Sequence, residues 1–117
     1  MKILVCEPGK HPYVKDIVHT LENLQKEVGG LIQALYPDDE ERIAVICNEE
    51  GLFLDLAWNR VVDPYGPIKG TFFVCGLTED DFCGLTDAQI EKYKNLFWYP
   101  ELLLPTPDGM MQIIIRD

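Results

Sequence analysis

Gly70-Thr71-Phe72-Phe73-Val74-Cys75-Gly76 is an apolar run bracketed by glycines, long enough for one strand and too short for a helix. Two others resemble it: Ile43-Ala44-Val45-Ile46-Cys47, closed by Asn48-Glu49-Glu50-Gly51, and Ile3-Leu4-Val5-Cys6, broken by Glu7-Pro8-Gly9-Lys10-His11-Pro12. Three such runs in one short chain predict a sheet. Residues 13–18 pair back on the first run, residues 31–36 have strand character, and Leu52-Phe53-Leu54-Asp55-Leu56 is expected to be the hairpin partner of the second run.

Between the strands lie two helix signatures. Thr20 caps a helix carrying Leu21, Leu24 and Val28 on one face, and Gly29-Gly30 stops it. Thr86 with Gln89 three residues on makes a capping box, followed by Ile90, Tyr93 and Phe97 on one face. Asp63-Pro64-Tyr65-Gly66-Pro67 reads as a loop and residues 78–84 as irregular. Leu102-Leu103-Leu104, a Pro105-Thr106-Pro107-Asp108-Gly109 turn and residues 110–115 read as a terminal hairpin. The expected fold is α+β: a small mixed, mostly antiparallel sheet with two helices packed on one face. Residues 1–117 are expected to form a single domain, with 100–117 as a C-terminal hairpin extension.

The net charge of −10 over 117 residues narrows the partners. Residues 1–60 carry 6 basic and 11 acidic side chains and residues 61–117 carry 4 and 9, so each half stands at −5. Binding to nucleic-acid phosphates, or to an anionic membrane, needs a basic surface, and neither is expected. No apolar run approaches the roughly 20 residues that span a bilayer. The start, Met1-Lys2-Ile3-Leu4-Val5-Cys6-Glu7, reads as a strand rather than a secretory signal, and the expected location is the cytoplasm.

Chemistry-bearing residues are sparse. Cys6, Cys47 and Cys75 each end an apolar run; were their ends aligned, the thiols could converge with His11 or His19 on zinc. The chain has no Cys-x-x-Cys pair, and small thiols pack well in strands, so core packing is the preferred reading and no metal or cofactor is expected. Cys6 with His11 is the one local pairing for a nucleophilic thiol. No phosphate-binding glycine loop or nucleophile elbow is present, and no enzymatic activity is expected.

Two sets of residues remain as binding candidates. Asp38, Asp39, Glu40 and Glu41, together with Glu79, Asp80 and Asp81, could contact a basic protein, although such runs are commonly just hydrated turns. Asn48, Glu49, Glu50, Trp58, Asn59 and Arg60 could line a nucleotide site, with the amides and carboxylates on base or ribose edges, Arg60 on phosphate and Trp58 stacking. The plainer alternative is that Asn48 and Asn59 satisfy turn backbone. Phe97-Trp98-Tyr99 adds an aromatic cluster of either core or interface type.

Leu24-Gln25-Lys26-Glu27-Val28-Gly29-Gly30-Leu31-Ile32 resembles a Leu-Gln-x-x-Val-Gly-Gly-x-Ile segment of the bacterial and phage family catalogued as domain of unknown function 3846. Asn48-Glu49-Glu50-Gly51 followed by Leu56-Ala57-Trp58-Asn59-Arg60 is similar to its Leu-Pro-x-Asn-Arg stretch, with Ala57 in place of the proline. Residues 68–76 are similar to its Ile-x-Gly strand, so the resemblance covers residues 1–76. It implies a gene of phages and mobile elements and brings no activity, cofactor or catalytic residue. The combined expectation is an accessory protein that binds a basic host protein, in an anti-defence or regulatory role. The alternatives are a binder or sponge for a signalling nucleotide and a cysteine-dependent enzyme.

Overall fold

The computed structural model describes residues 1–116; residue 117 of the expected hairpin extension lies outside the described residues. Strands β1 (Lys2–Cys6), β2 (Tyr13–Asp16), β3 (Ile32–Leu35), β4 (Ile43–Asn48) and β7 (Phe72–Leu77) form the main sheet in the order β2-β1-β7-β4-β3. Each neighbouring pair is antiparallel. The short β8 (Phe82–Cys83) adds to the far end of β7.

The central strands are apolar at nearly every position because both faces of the sheet are covered. Side chains alternate between faces along a strand. Leu4, Cys6, Val45, Cys47, Phe72 and Val74 enter one core, while Ile3, Val5, Ala44, Ile46, Phe73 and Cys75 enter the other. Helix α1 (Leu21–Val28) caps the second core with Leu24 and Val28. Helix α2 (Asp87–Leu96) caps the first with Tyr93, followed by Phe97 just beyond its end. The α+β class and the antiparallel sheet are as expected, but the helices lie on opposite faces rather than one. A sheet covered on one side alternates apolar with polar; the unbroken runs of β4 and β7 require cover on both.

The helix ends follow their sequence signals. Thr20 Oγ1 accepts from the Asn23 N–H, and Gly29, at φ 76°, closes α1 in the left-handed conformation. Both bonds of the Thr86–Gln89 capping box form.

Residues 52–56 do not pair with β4, whose two edges are already taken by β3 and β7. A single 3-10 turn over Gly51–Phe53 replaces the expected strand. The chain then forms a separate hairpin, β5 (Trp58–Val62) with β6 (Gly66–Lys69), which lends Val62 and Ile68 to the α2-side core. The loop expected at residues 63–67 is accordingly shorter. The C-terminal hairpin consists of β9 (Glu101–Thr106) and β10 (Gly109–Ile114), joined at Pro107 and Asp108. It is tied to the body by buried Leu103 and by Glu101, whose Oε1 accepts the Val61 N–H at 3.0 Å. Among the described residues, no helix is long and apolar enough to cross a membrane.

Candidate functional site

Asn59 and Arg60 are adjacent in β5 yet both are wholly buried. An irregularity in the β5–β6 register between Trp58 and Val61 makes this feasible, since a bulge lets neighbouring side chains share one face. Asn59 Nδ2 donates to the carbonyls of Cys6 and Gly70, both at 2.9 Å, and its Oδ1 accepts from Arg60 Nη1 at 2.7 Å. Arg60 Nε donates to the Phe97 carbonyl at 2.9 Å, Nη1 to that of Glu7 at 3.3 Å, and Nη2 to that of Lys10 at 2.5 Å. Burial holds the Arg60 pKa below its usual value, and the carbonyls at the end of α2 present the negative pole of that helix to the cation. The expected phosphate ligand is therefore a structural tie between the β1–β2 loop and the end of α2. Its guanidinium is sealed from solvent and cannot receive a ligand.

The rest of that candidate set is also divided. Buried Asn48 donates through Nδ2 to the Val28 carbonyl at 3.1 Å and accepts the Glu50 N–H at 2.9 Å, holding the end of α1 against the turn after β4. Glu49 and Glu50 are exposed. Trp58 is half-buried, with the Lys69 ammonium 4.9 Å from its ring centre. Asn48 and Glu49 border a groove of about 200 Å³ with Leu35, Cys47, Phe53 and Tyr65, and neither Trp58 nor Arg60 reaches it. The six residues do not form one site.

Nor do the cysteines converge. Cys6 and Cys47 lie in the α2-side core and Cys75 in the α1-side core. β7 runs antiparallel to β1 and β4, so its C-terminal cysteine falls at the opposite end of the sheet. Among the described residues, no group of three potential ligands could hold a metal ion. Cys6 is fully buried and desolvation pushes its pKa up to about 12, which leaves no thiolate for nucleophilic attack. The His11 ring stacks on Trp98, with centroids 4.1 Å apart, and its Nδ1 lies 2.6 Å from the Trp98 carbonyl.

The acidic runs behave differently. The Leu77 N–H donates to the Arg42 carbonyl at 2.9 Å, and Ile43 pairs with Gly76, so the turn before β4 and the turn after β7 meet at one end of the sheet. Half-exposed Tyr36, Leu77 and the turn over residues 78–82 surround a concavity of about 390 Å³. Glu79 and Asp80 are exposed in it, and Asp39 and Glu40 are exposed in the turn before β4, at the same end of the sheet. Lys92 of α2 approaches Asp38 at 3.2 Å and Glu41 at 3.3 Å, and His19 approaches Asp81 at 3.1 Å. Tyr36, which lines the concavity, and Lys92, which pairs with acids of the first turn, are residues of this end that the sequence reading missed. Tyr36 directly precedes Pro37 and the acids, whereas nothing local marks Lys92.

Asp38 also organises its own turn. The Glu40 N–H is the main cause of a carboxyl pKa held below its ordinary 3.8, followed by Lys92, with the Glu41 N–H adding to it. A group depressed on folding contributes stability above its unfolded pKa and loses it as pH falls through the folded value. An Asp38→Asn variant is therefore expected to be less stable than wild type at neutral pH, with the gap closing below about pH 4. Denaturant melts of both proteins across that range check this; a gap that ignores pH would refute it.

These features define a small antiparallel α+β protein with one acidic end, whose few buried polar side chains are occupied by its own backbone. The chain belongs to the family described as Domain of unknown function (DUF3846), whose model matches residues 1–98. The β9–β10 hairpin lies beyond that match. No curated protein and no solved structure matches the chain.

Proposed function

We propose that this protein acts by binding a basic protein partner through the acidic end of its sheet, as an accessory factor without catalytic activity. The observation that carries this reading is that two acidic turns distant in sequence, residues 38–41 and 78–81, lie at the same end of the sheet, the second of them lining a concavity with half-exposed Tyr36. Charge arranged this way steers a basic partner during encounter, and an aromatic side chain beside it supplies desolvated contact area. The family resemblance supports a phage or mobile-element setting, in which the partner is a host protein and the outcome anti-defence or regulatory. The nucleotide reading loses its phosphate ligand with the burial of Arg60, and the cysteine-enzyme reading loses its nucleophile with the burial of Cys6.

Asp39→Asn, Glu40→Gln and Glu79→Gln together test the proposal while sparing Asp38, Glu41 and Asp81, which have partners within the chain. Immobilised wild-type protein is expected to retain a basic host protein from lysate at low salt and release it at high salt. The triple variant, with an unchanged melting temperature, is expected to retain about 10-fold less, through loss of steering and complementarity. Equal retention of every captured protein by the variant would defeat the assignment.

A further inference from the structure

We propose that two copies of this chain associate through the free edge of β10, which pairs antiparallel with its own counterpart about a two-fold axis through Gln112. Among the described residues no strand lies on that edge. The Ile115 N–H donates to the Pro100 carbonyl at 2.8 Å, continuing the register in which Met111 faces Leu104 and Ile113 faces Leu102. Main-chain groups alternate sides along a strand. Those of Met111 and Ile113 therefore point at β9, and those of Met110, Gln112 and Ile114 point outward. An edge of this kind, without charge, proline or bulge, is a template for another strand.

Charge selects a second copy as the occupant. Residues 109–115 carry none, in a chain of net −10, while Asp108 and Arg116 flank them with opposite signs. With Gln112 opposite Gln112 of the second copy, Met110 faces Ile114, Met111 faces Ile113, and Asp108 faces Arg116. Each of these unlike pairs occurs twice by symmetry, as an isologous contact requires. The register also satisfies the backbone, because outward-pointing residues meet outward-pointing residues. On one face it joins Leu102, Leu104, Met111 and Ile113, each 38–46% exposed, to the same four of the other copy. A single strand pair buries far less than the roughly 800 Å² per partner of a standard interface. The dimer is accordingly weak and forms at high protein concentration.

Sedimentation equilibrium from micromolar to near-millimolar protein tests this. Wild type is expected to show a reversible monomer–dimer equilibrium. Gln112→Pro removes an outward N–H that the hairpin does not use, as Pro105 already does on β9, and is expected to leave only monomer. Arg116→Glu is expected to weaken the dimer about 10-fold, since two cross-copy pairs turn repulsive. Adding Asp108→Lys to it is expected to restore association, which separates cross-copy pairing from loss of the Arg116 contact with the Tyr99 ring. Monomer at every concentration would overturn the proposal. So would a dimer indifferent to Gln112→Pro and to charge reversal, or a foreign chain occupying β10 of a monomer.

Discussion

Arg60→Ala is expected to destabilise the protein by about 3–5 kcal/mol, because the substitution orphans two buried and two part-buried acceptors at once and empties a fully buried position. The carbonyls of Phe97, Glu7 and Lys10 and the side-chain oxygen of Asn59 all lose a donor. A domain has only about 5–15 kcal/mol in total, so much of the population would approach unfolding under mild denaturant. Arg60→Lys is expected to recover only a small part. A single ammonium cannot present the planar fork that reaches three carbonyls on two separate segments. Urea melts of the three proteins measure this, and a loss under about 1 kcal/mol for Arg60→Ala would show that solvent reaches those carbonyls. The experiment also bears on the nucleotide reading: any ligand lost in this variant is lost with the fold, so Arg60 must be judged by stability before binding.

The second large effect is expected at Phe72. Its ring is fully buried in the α2-side core and meets Phe97 edge to face, with centroids 5.3 Å apart and planes at 75°. Truncation to alanine leaves a cavity between the central strand and the end of α2, at a cost of about 3–5 kcal/mol. Phe53 supplies the contrast, being 91% exposed on the 3-10 turn. Phe53→Ala is expected to change stability by no more than about 0.5 kcal/mol. Equal effects at the two positions, read from the same denaturant melts, would contradict the assignment of the core. Phe97 links the two large predictions, because its ring packs on Phe72 while its carbonyl accepts from Arg60. Loss of either partner should loosen the end of α2 first, with exchange of its last amides rising before that of β4.

Much of the architecture was legible in short segments. The runs at Ile3-Leu4-Val5-Cys6, Ile43-Ala44-Val45-Ile46-Cys47 and Phe72-Phe73-Val74-Cys75 mark the three central strands, and Thr20, Gly29 and the Thr86–Gln89 box mark helix ends through bonds within a few residues. The same runs also carried the evidence that both faces are covered, although the sequence reading placed both helices on one. The assignment of residues 52–56 as a strand failed for a different reason. Their apolar content suits a strand, but β4 has no edge left for them, and edge occupancy depends on β3 and β7, far off in the chain.

The sequence by itself determined the strand runs, the helix caps, the terminal hairpin and the acidic balance, because each depends on local spacing or on composition. Tertiary structure decided what the polar residues do. Arg60 looks like a ligand residue beside Trp58 and becomes a buried tie only when the β1–β2 loop and the end of α2 close around it. The three strand-end cysteines look equivalent and are separated by strand direction and face. Residues 38–41 and 78–81 look like two unrelated hydrated turns and come to the same end of the sheet because β4 and β7 are antiparallel neighbours. In each case the deciding contact joins segments tens of residues apart, and no local pattern encodes which distant backbone a side chain will meet.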